Sequence, residues 1–259
     1  MPKLAANLTM LFTEYPLLER FDRAAAAGFK GVELLFPYVE TPETVMNALT
    51  RNHLELVLFN LPAGDWAAGD RGMAAQPARR EEFADGLKMA VDYASALRPR
   101  CVNCLAGKLA PDENAVAVLA ENVEMAAGAL DQVGVKLTLE PVNTFDVPDF
   151  ALPTTQSALD LISAVDSSNV GLQYDIYHAL RMDEDPFEFI EAHGGEISHI
   201  QIADVPGRHQ PGTGDVDFAK LFRIIDDSGY VGWVSLEYIP EGATEDGFDH
   251  LRELGFLAV

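Results

Sequence analysis

Eight short apolar runs, each followed by a stretch of helical periodicity, succeed one another along the whole chain without a break in composition. They fall at residues 4–9, 31–35, 54–60, 101–107, 136–142, 170–178, 197–204 and 233–238. Runs this rich in Val, Ile and Leu predict strands buried on both faces, and strands alternating with amphipathic helices pair in parallel. Residues 114–130 show the intervening pattern, with Val116, Leu119, Ala120, Val123, Ala127 and Leu130 on one helical stripe. Phe218, Leu221, Phe222 and Ile225 repeat it behind Asp217, a capping residue. Eight such pairs predict a single closed (β/α)8 TIM barrel over residues 1–259, a length that one such barrel absorbs. A doubly wound open sheet is the alternative. It is disfavoured because Asn7-Leu8-Thr9-Met10-Leu11 follows the first strand, where a glycine-rich phosphate loop would stand.

Two irregular stretches interrupt the alternation. Residues 61–78, after the third strand, hold Pro62, Gly64, Gly69, Gly72 and Pro77; residues 205–217, after the seventh, hold Pro206, Gly207, Pro211, Gly212 and Gly214. Both lie on the carboxyl-terminal side of strands, where barrel enzymes place their chemistry, and long loops inside compact domains serve as lids or binding loops.

Strand parity identifies what points into the barrel. With Leu137, Leu139, Leu172, Tyr174, Ile200, Ile202, Val234 and Leu236 turned to the helices, the inward set is Thr138, Glu140, Gln173, Asp175, His199, Gln201, Ser235 and Glu237. Glu140, Asp175, Gln201 and Glu237 sit near the carboxyl ends of consecutive strands, spaced 35, 26 and 36 residues apart, one β/α unit each time. Unpaired carboxylates in a dry interior are expensive enough to demand a partner, and a cation is the economical one. Three carboxylates and an amide oxygen are hard ligands, which suit one divalent metal, Mg²⁺ or Mn²⁺. Taken singly, each acid reads better as an ordinary strand-end residue paired to a nearby Lys or Arg; four in register favour the metal.

Charge narrows the partners. The 41 acidic residues against 18 basic ones give a net charge of -23, which repels nucleic acid and acidic membrane surfaces. An anionic substrate would then need local cations. The start Met1-Pro2-Lys3-Leu4 lacks a signal-peptide pattern and no run approaches about 20 apolar residues, so a cytoplasmic location is expected. Cys101 and Cys104 form a CxxC, but on a strand they face opposite sides and read as two buried thiols. Asn7-Leu8-Thr9 matches a glycosylation acceptor and carries no weight inside an apolar strand.

The motifs Ala5-Ala6-Asn7-Leu8-Thr9-Met10-Leu11-Phe12, Asn60-Leu61-Pro62-Ala63-Gly64-Asp65-Trp66, Asn103-Cys104-Leu105-Ala106-Gly107-Lys108, Glu140-Pro141-Val142-Asn143, Gln173-Tyr174-Asp175-Ile176-Tyr177-His178, Gln201-Ile202-Ala203-Asp204, Pro211-Gly212-Thr213-Gly214 and Glu237-Tyr238 together resemble the hydroxypyruvate isomerases of the xylose-isomerase-like TIM-barrel superfamily. The resemblance covers nearly the whole chain. It implies that Glu140, Asp175, Gln201 and Glu237 bind the metal and that Glu140 and Glu237 act as the catalytic pair exchanging protons with substrate. Related sugar epimerases carry histidine where Gln201 stands, which separates the chain from that branch. The implied substrate is a small anionic hydroxy-keto acid, interconverted between hydroxypyruvate and 2-hydroxy-3-oxopropanoate through a cis-enediolate.

Among substrate contacts, His178 is implied as a ligand of a substrate hydroxyl, Arg208 stands similarly, and Asn60 is a polar pocket residue. Lys108 and Arg71 are the best-sited cations for the carboxylate. His199 reads as a hydrogen-bonded core residue, and Glu33 is left undecided between an inward acid and a paired strand residue. Isomerisation of a longer 2-oxo acid such as 2-oxo-tetronate, or a related sugar or keto-acid isomerase or epimerase, is the nearest alternative. A nuclease for damaged DNA and a non-catalytic, metal-stabilised binding protein are the rivals from other classes. Assembly as a homo-oligomer is left open.

Overall fold

Each of the eight runs becomes a strand in the computed structural model, which describes residues 2–257. Among the described residues the strands are β1 (Lys3–Asn7), β2 (Gly31–Leu34), β3 (Glu55–Asn60), β4 (Cys101–Cys104), β5 (Lys136–Leu139), β6 (Val170–Asp175), β7 (Ile197–Ile202) and β8 (Trp233–Leu236). They pair in parallel, each with its sequence neighbour, and β1 pairs with β8 to close the barrel. The helices between them form the outer ring. Two helix expectations hold closely: one helix runs Ala115–Asp131, and Asp217 caps Phe218–Asp227 by accepting the Lys220 N–H at 2.9 Å.

The observed strands stop short of the sequence ranges at their carboxyl ends, and the reason is physical. The chain stays extended there but changes partner: Ala106 bridges Gly72 and Lys108 bridges Phe150, both in loops rather than in neighbouring strands. After β6 there is no loop at all. Asp175 ends the strand and caps the helix Ile176–Arg181, its Oδ1 accepting the Tyr177 N–H at 2.8 Å. His178 therefore lies on a helix, not on the strand that the apolar run predicts.

The parity reading of the interior holds. Leu137, Leu139, Leu172, Tyr174, Ile200, Ile202, Val234 and Leu236 all join the large apolar core, while Thr138, Gln173, His199, Gln201 and Ser235 are buried polar groups. A second, small apolar cluster of Ala5, Val57, Leu58, Cys101 and Trp233 closes the interior toward the amino-terminal ends of the strands. Gly31 permits it, since a Cβ there would stand 2.7 Å from the Trp233 ring. Cys101 and Cys104 are free and buried, and burial pushes both thiols up to about 12. No helix among the described residues is long and apolar enough to cross a membrane.

Candidate active site

The carboxyl-terminal ends of the strands surround a cavity of about 540 Å³, the size of a small-molecule site. Its floor holds part of the acidic layer anticipated from parity: Glu140 and Glu237 line it, whereas Asp175 and Gln201 are not among the lining residues. Glu140 follows β5, Asp175 ends β6, Gln201 lies on β7 and Glu237 follows β8, all buried. Register explains the convergence of the middle pair: Asp175 pairs with Gln201 across β6 and β7.

Each group has few partners. Glu140 Oε2 accepts from Asn103 Nδ2 at 2.8 Å. The Arg208 guanidinium reaches Asp175 Oδ2 at 3.4 Å and Glu237 Oε1 at 3.2 Å. Gln201 Nε2 donates to Glu33 Oε1 at 2.9 Å and also to Glu237 Oε2, while its Oε1 accepts from Gln173 Nε2 at 2.7 Å. Two buried carboxylates, Asp175 and Glu237, thus share one guanidinium, while Glu140 rests on Asn103. Burial, reinforced by Asp175, pushes the Glu140 carboxyl up to about 8. Burial raises Glu237 well above the usual carboxylate range, aided by Glu140, and raises Asp175 as well, in both cases against the pull of Arg208. Burial, with Arg208 nearby, lowers the His178 imidazole well below its ordinary value and keeps it neutral.

The donor set fits a hard divalent cation. Glu140, Asp175 and His178 each bring a ligand-capable atom within 4.8 Å of the others, and the surplus of buried negative charge is what a cation would relieve. Glu237 and Gln201, expected as ligands from the sequence, lie beside this cluster, the Gln201 carboxamide turning its Nε2 to Glu237 and its Oε1 to Gln173.

Directly beneath lies a second acid that the sequence left undecided. Glu33 points inward and accepts from Asn7 Nδ2 at 2.8 Å and from Gln201 Nε2, and its Oε2 lies 2.9 Å from His199 Nε2. Burial pushes this carboxyl up, but the His199 contact and the Gln201 hydrogen bond outweigh it and bring it below the usual range. His199 is a hydrogen-bonded interior residue, as its position a layer below Gln201 implied.

The walls come from the two long loops. Arg71, in the stretch after β3, lines the cavity, its guanidinium 3.9 Å from the Trp66 ring and donating to the carbonyl of Trp66 at 3.1 Å and of Asp70 at 2.6 Å. The later part of this stretch is pinned: Gly72 bridges Ala106, Ala75 N–H donates to Ala106, and Asn122 Nδ2 donates to the Ala74 carbonyl. Exposed residues concentrate at 65–68. Asn60 lines the cavity, and its Oδ1 is buried without a hydrogen-bond partner among the described residues. Lys108 is exposed and absent from the cavity lining, because the backbone after β4 turns to bridge Phe150.

Arg208 is aimed by Asp204, a buried carboxylate with no assigned role in the sequence reading. Asp204 Oδ1 accepts the N–H of Val205 at 2.9 Å and of Val216 at 3.1 Å; Oδ2 accepts those of Gly212 at 2.9 Å and Gly214 at 2.8 Å. Four amides tied to one side chain fold residues 204–216 into a fixed loop. Within it Arg208 takes a left-handed φ of 57° and lays its guanidinium 4.9 Å from the Tyr177 ring. Asn143 and Tyr177 also went without a role. The Asn-Thr-Phe-Asp run was a usable signal, since an asparagine there can fold back on backbone N–H groups two and three residues on.

A family model described as xylose isomerase-like TIM barrel matches residues 21–254. The chain is 46% identical to hydroxypyruvate isomerase of Escherichia coli (strain K12), over 95% of this chain and 97% of that protein. It is 37% identical to 2-oxo-tetronate isomerase of Cupriavidus necator, over 97% and 98%. A crystal structure from Brucella melitensis described as AP endonuclease, family 2, superposes with a TM-score of 0.94 at 42% identity, over 98% of this chain and 99% of that one.

Proposed function

The chain belongs to the xylose isomerase-like TIM barrel family, and on that premise we propose that it is an isomerase interconverting hydroxypyruvate and 2-hydroxy-3-oxopropanoate. The observation that carries this reading is the pair Glu140 and Glu237, which come from β5 and β8 yet line one cavity with His178 and Arg208. The 46% identical E. coli relative, named for this reaction, supports it.

The reaction moves one proton between adjacent carbons and another between their oxygens, so it needs a carboxylate near the carbons and charge stabilisation near the oxygens. A single Mg²⁺ or Mn²⁺ held by Glu140, Asp175, Gln201 and Glu237 supplies the second when bound. Glu140 and Glu237 flank the substrate and exchange its carbon proton. His178 hydrogen-bonds a substrate oxygen, and Arg208 offsets charge that develops there. Arg71 takes the substrate carboxylate, because it is the cation of the long loop that faces the cavity; Asn60 Oδ1 accepts from a substrate hydroxyl. Trp66 holds the Arg71 guanidinium by stacking.

A second reading keeps the same chemistry for the four-carbon 2-oxo-tetronate. The cavity volume favours neither acid, and an extra hydroxymethine is discriminated by only about 10–200-fold through size. The endonuclease description of the Brucella protein does not transfer readily to a chain of net charge -23, which opposes duplex DNA. One experiment addresses chemistry and metal together. Turnover of hydroxypyruvate in D₂O should place deuterium on product carbon, chelation should abolish the activity, and Mg²⁺ or Mn²⁺ should restore it. Full activity in rigorously metal-free protein would remove the metal from the reading. Complete retention of the substrate hydrogen in a single turnover would replace proton transfer by hydride transfer, and a much larger specificity constant for 2-oxo-tetronate would replace the substrate.

A further inference from the structure

Asn143 stands three residues beyond Glu140, and its side chain is held in one orientation. Its Oδ1 accepts the backbone N–H of Phe145 at 3.1 Å and of Asp146 at 2.9 Å, and its Nδ2 donates to Asp146 Oδ2 at 2.9 Å. Reversing the carboxamide would set Nδ2 against two N–H donors and Oδ1 against a carboxylate, so the neighbours settle which atom is which. Nδ2 then lies 2.6 Å from His178 Nδ1, and the Asn143 backbone N–H approaches the same ring nitrogen at 3.5 Å. An amide nitrogen has no lone pair to offer. His178 Nδ1 must accept, which leaves the single proton of the neutral ring on Nε2.

Nε2 stands 3.6 Å from Asp175 Oδ2 and 4.0 Å from Glu140 Oε1, beyond hydrogen-bond distance of either. By position alone Glu140, Asp175 and His178 form a three-ligand metal cluster. A ring nitrogen that carries a proton cannot coordinate. We propose that Asn143 is a positioning residue that locks His178 as the Nε2–H tautomer, making it a hydrogen-bond donor to a substrate oxygen and excluding it from the ligand set. The proposal rests on the isomerase reading for the identity of the acceptor, but not for the tautomer. It also explains why a histidine beside two carboxylates would leave the site oxygen-only: an imidazole ligand would draw zinc, whereas an all-oxygen set suits magnesium and manganese.

The test uses the full-length protein, ¹⁵N-labelled at histidine and loaded with Mg²⁺, in two-bond ¹H–¹⁵N correlation spectra that separate protonated from unprotonated ring nitrogens. His178→Gln identifies the signals. The wild type should give the Nε2–H pattern. Asn143→Asp keeps the acceptor for Phe145 and Asp146 and sets an acceptor against Nδ1, and it is combined with Asp146→Asn so that the new carboxylate does not face a second one. It should shift the ring toward Nδ1–H, lower kcat/KM for hydroxypyruvate about 10–100-fold at matched metal occupancy, and raise affinity for Zn²⁺ relative to Mn²⁺. Should that variant fail to fold, Asn143→Ala should give mixed tautomers and a smaller loss. An Nδ1–H pattern in the wild type overturns the proposal, as does an unchanged tautomer with unchanged kcat/KM in the variants. An Nε2–H wild type that turns over no substrate leaves the tautomer assignment standing and sinks the isomerase reading instead.

Discussion

Two acidic layers share one barrel interior, almost equally hidden from water, and their carboxyls are driven in opposite directions. Glu33, fully buried, sits among Asn7, His199 and Gln201 and is held below the usual carboxylate range. Glu140, Asp175 and Glu237, 3–6% exposed, are pushed upward, although Arg208 contacts the latter two. Burial opposes the charged form in both layers, so depth does not decide the outcome. The neighbours do: His199 and Gln201 favour the Glu33 charge, whereas the mouth carboxyls raise one another. The deeper layer finds its partners within the protein and behaves as scaffold; the mouth layer carries strongly perturbed carboxyls, the signature of a functional site.

The sharpest way to break this contrast is to neutralise one acid in each layer. Glu140→Gln or Glu237→Gln should lower turnover by roughly a hundredfold or more, as loss of an acid-base group does, while raising the melting temperature of the metal-free protein, because folding no longer has to force a proton onto a buried carboxylate. Metal occupancy has to be measured on the same samples. Glu33→Leu should act the other way and cost about 3 kcal/mol or more in urea unfolding of the metal-free protein, since Asn7, His199 and Gln201 would lose a buried acceptor. If substitutions in the two layers move stability in the same direction, the distinction between scaffold and site is void.

A smaller effect sharpens the same point through pH. The Glu140 carboxyl, near 4.5 in the unfolded chain, is raised to about 8 in the folded metal-free protein. Between those values the folded state holds a proton that the unfolded state has lost. Its contribution to stability is full below the unfolded value and disappears as pH climbs toward the folded one. A bound cation requires the carboxylate free of that proton, so stabilisation by metal strengthens over the same window. The gap in melting temperature between Mn²⁺-loaded and metal-free protein should widen by a few degrees from pH 6 to pH 8, at about 2–4 °C per kcal/mol for a chain of this size. A constant gap would mean that the raised carboxyls do not govern the site.

Much of this was legible because a strand alternates its faces strictly. Once Leu137, Ile200 and Leu236 were read as core, Glu140, Gln201 and Glu237 had to converge, and no tertiary detail could move them to the other side. What escaped depended on contacts between distant segments or on how strands end. Glu33 meets His199 across 166 residues, and nothing local in Gly31-Val32-Glu33 announces it. Helix Ile176–Arg181 starts on the residue after β6, so the apolar run gave no sign that it had left the sheet. Lys108 looked well placed because it follows β4, yet its direction is set by the pairing of the chain with Phe150, a loop residue more than forty positions away.

The four amides gathered by Asp204 have a consequence for anyone wishing to retrain the enzyme. A segment whose turns all depend on one carboxylate cannot be varied piecemeal: a side chain at Gly214 would strike the Val205 carbonyl at 1.9 Å, and one at Gly212 would crowd His250 at 2.8 Å in a backbone conformation that favours glycine. Library diversity spent there would mostly be lost to misfolding. The exposed residues 65–68, bordered by Gly69 with open space around its Cα, include Trp66 and lie close to Arg71; they are the productive place to seek tolerance for a longer substrate.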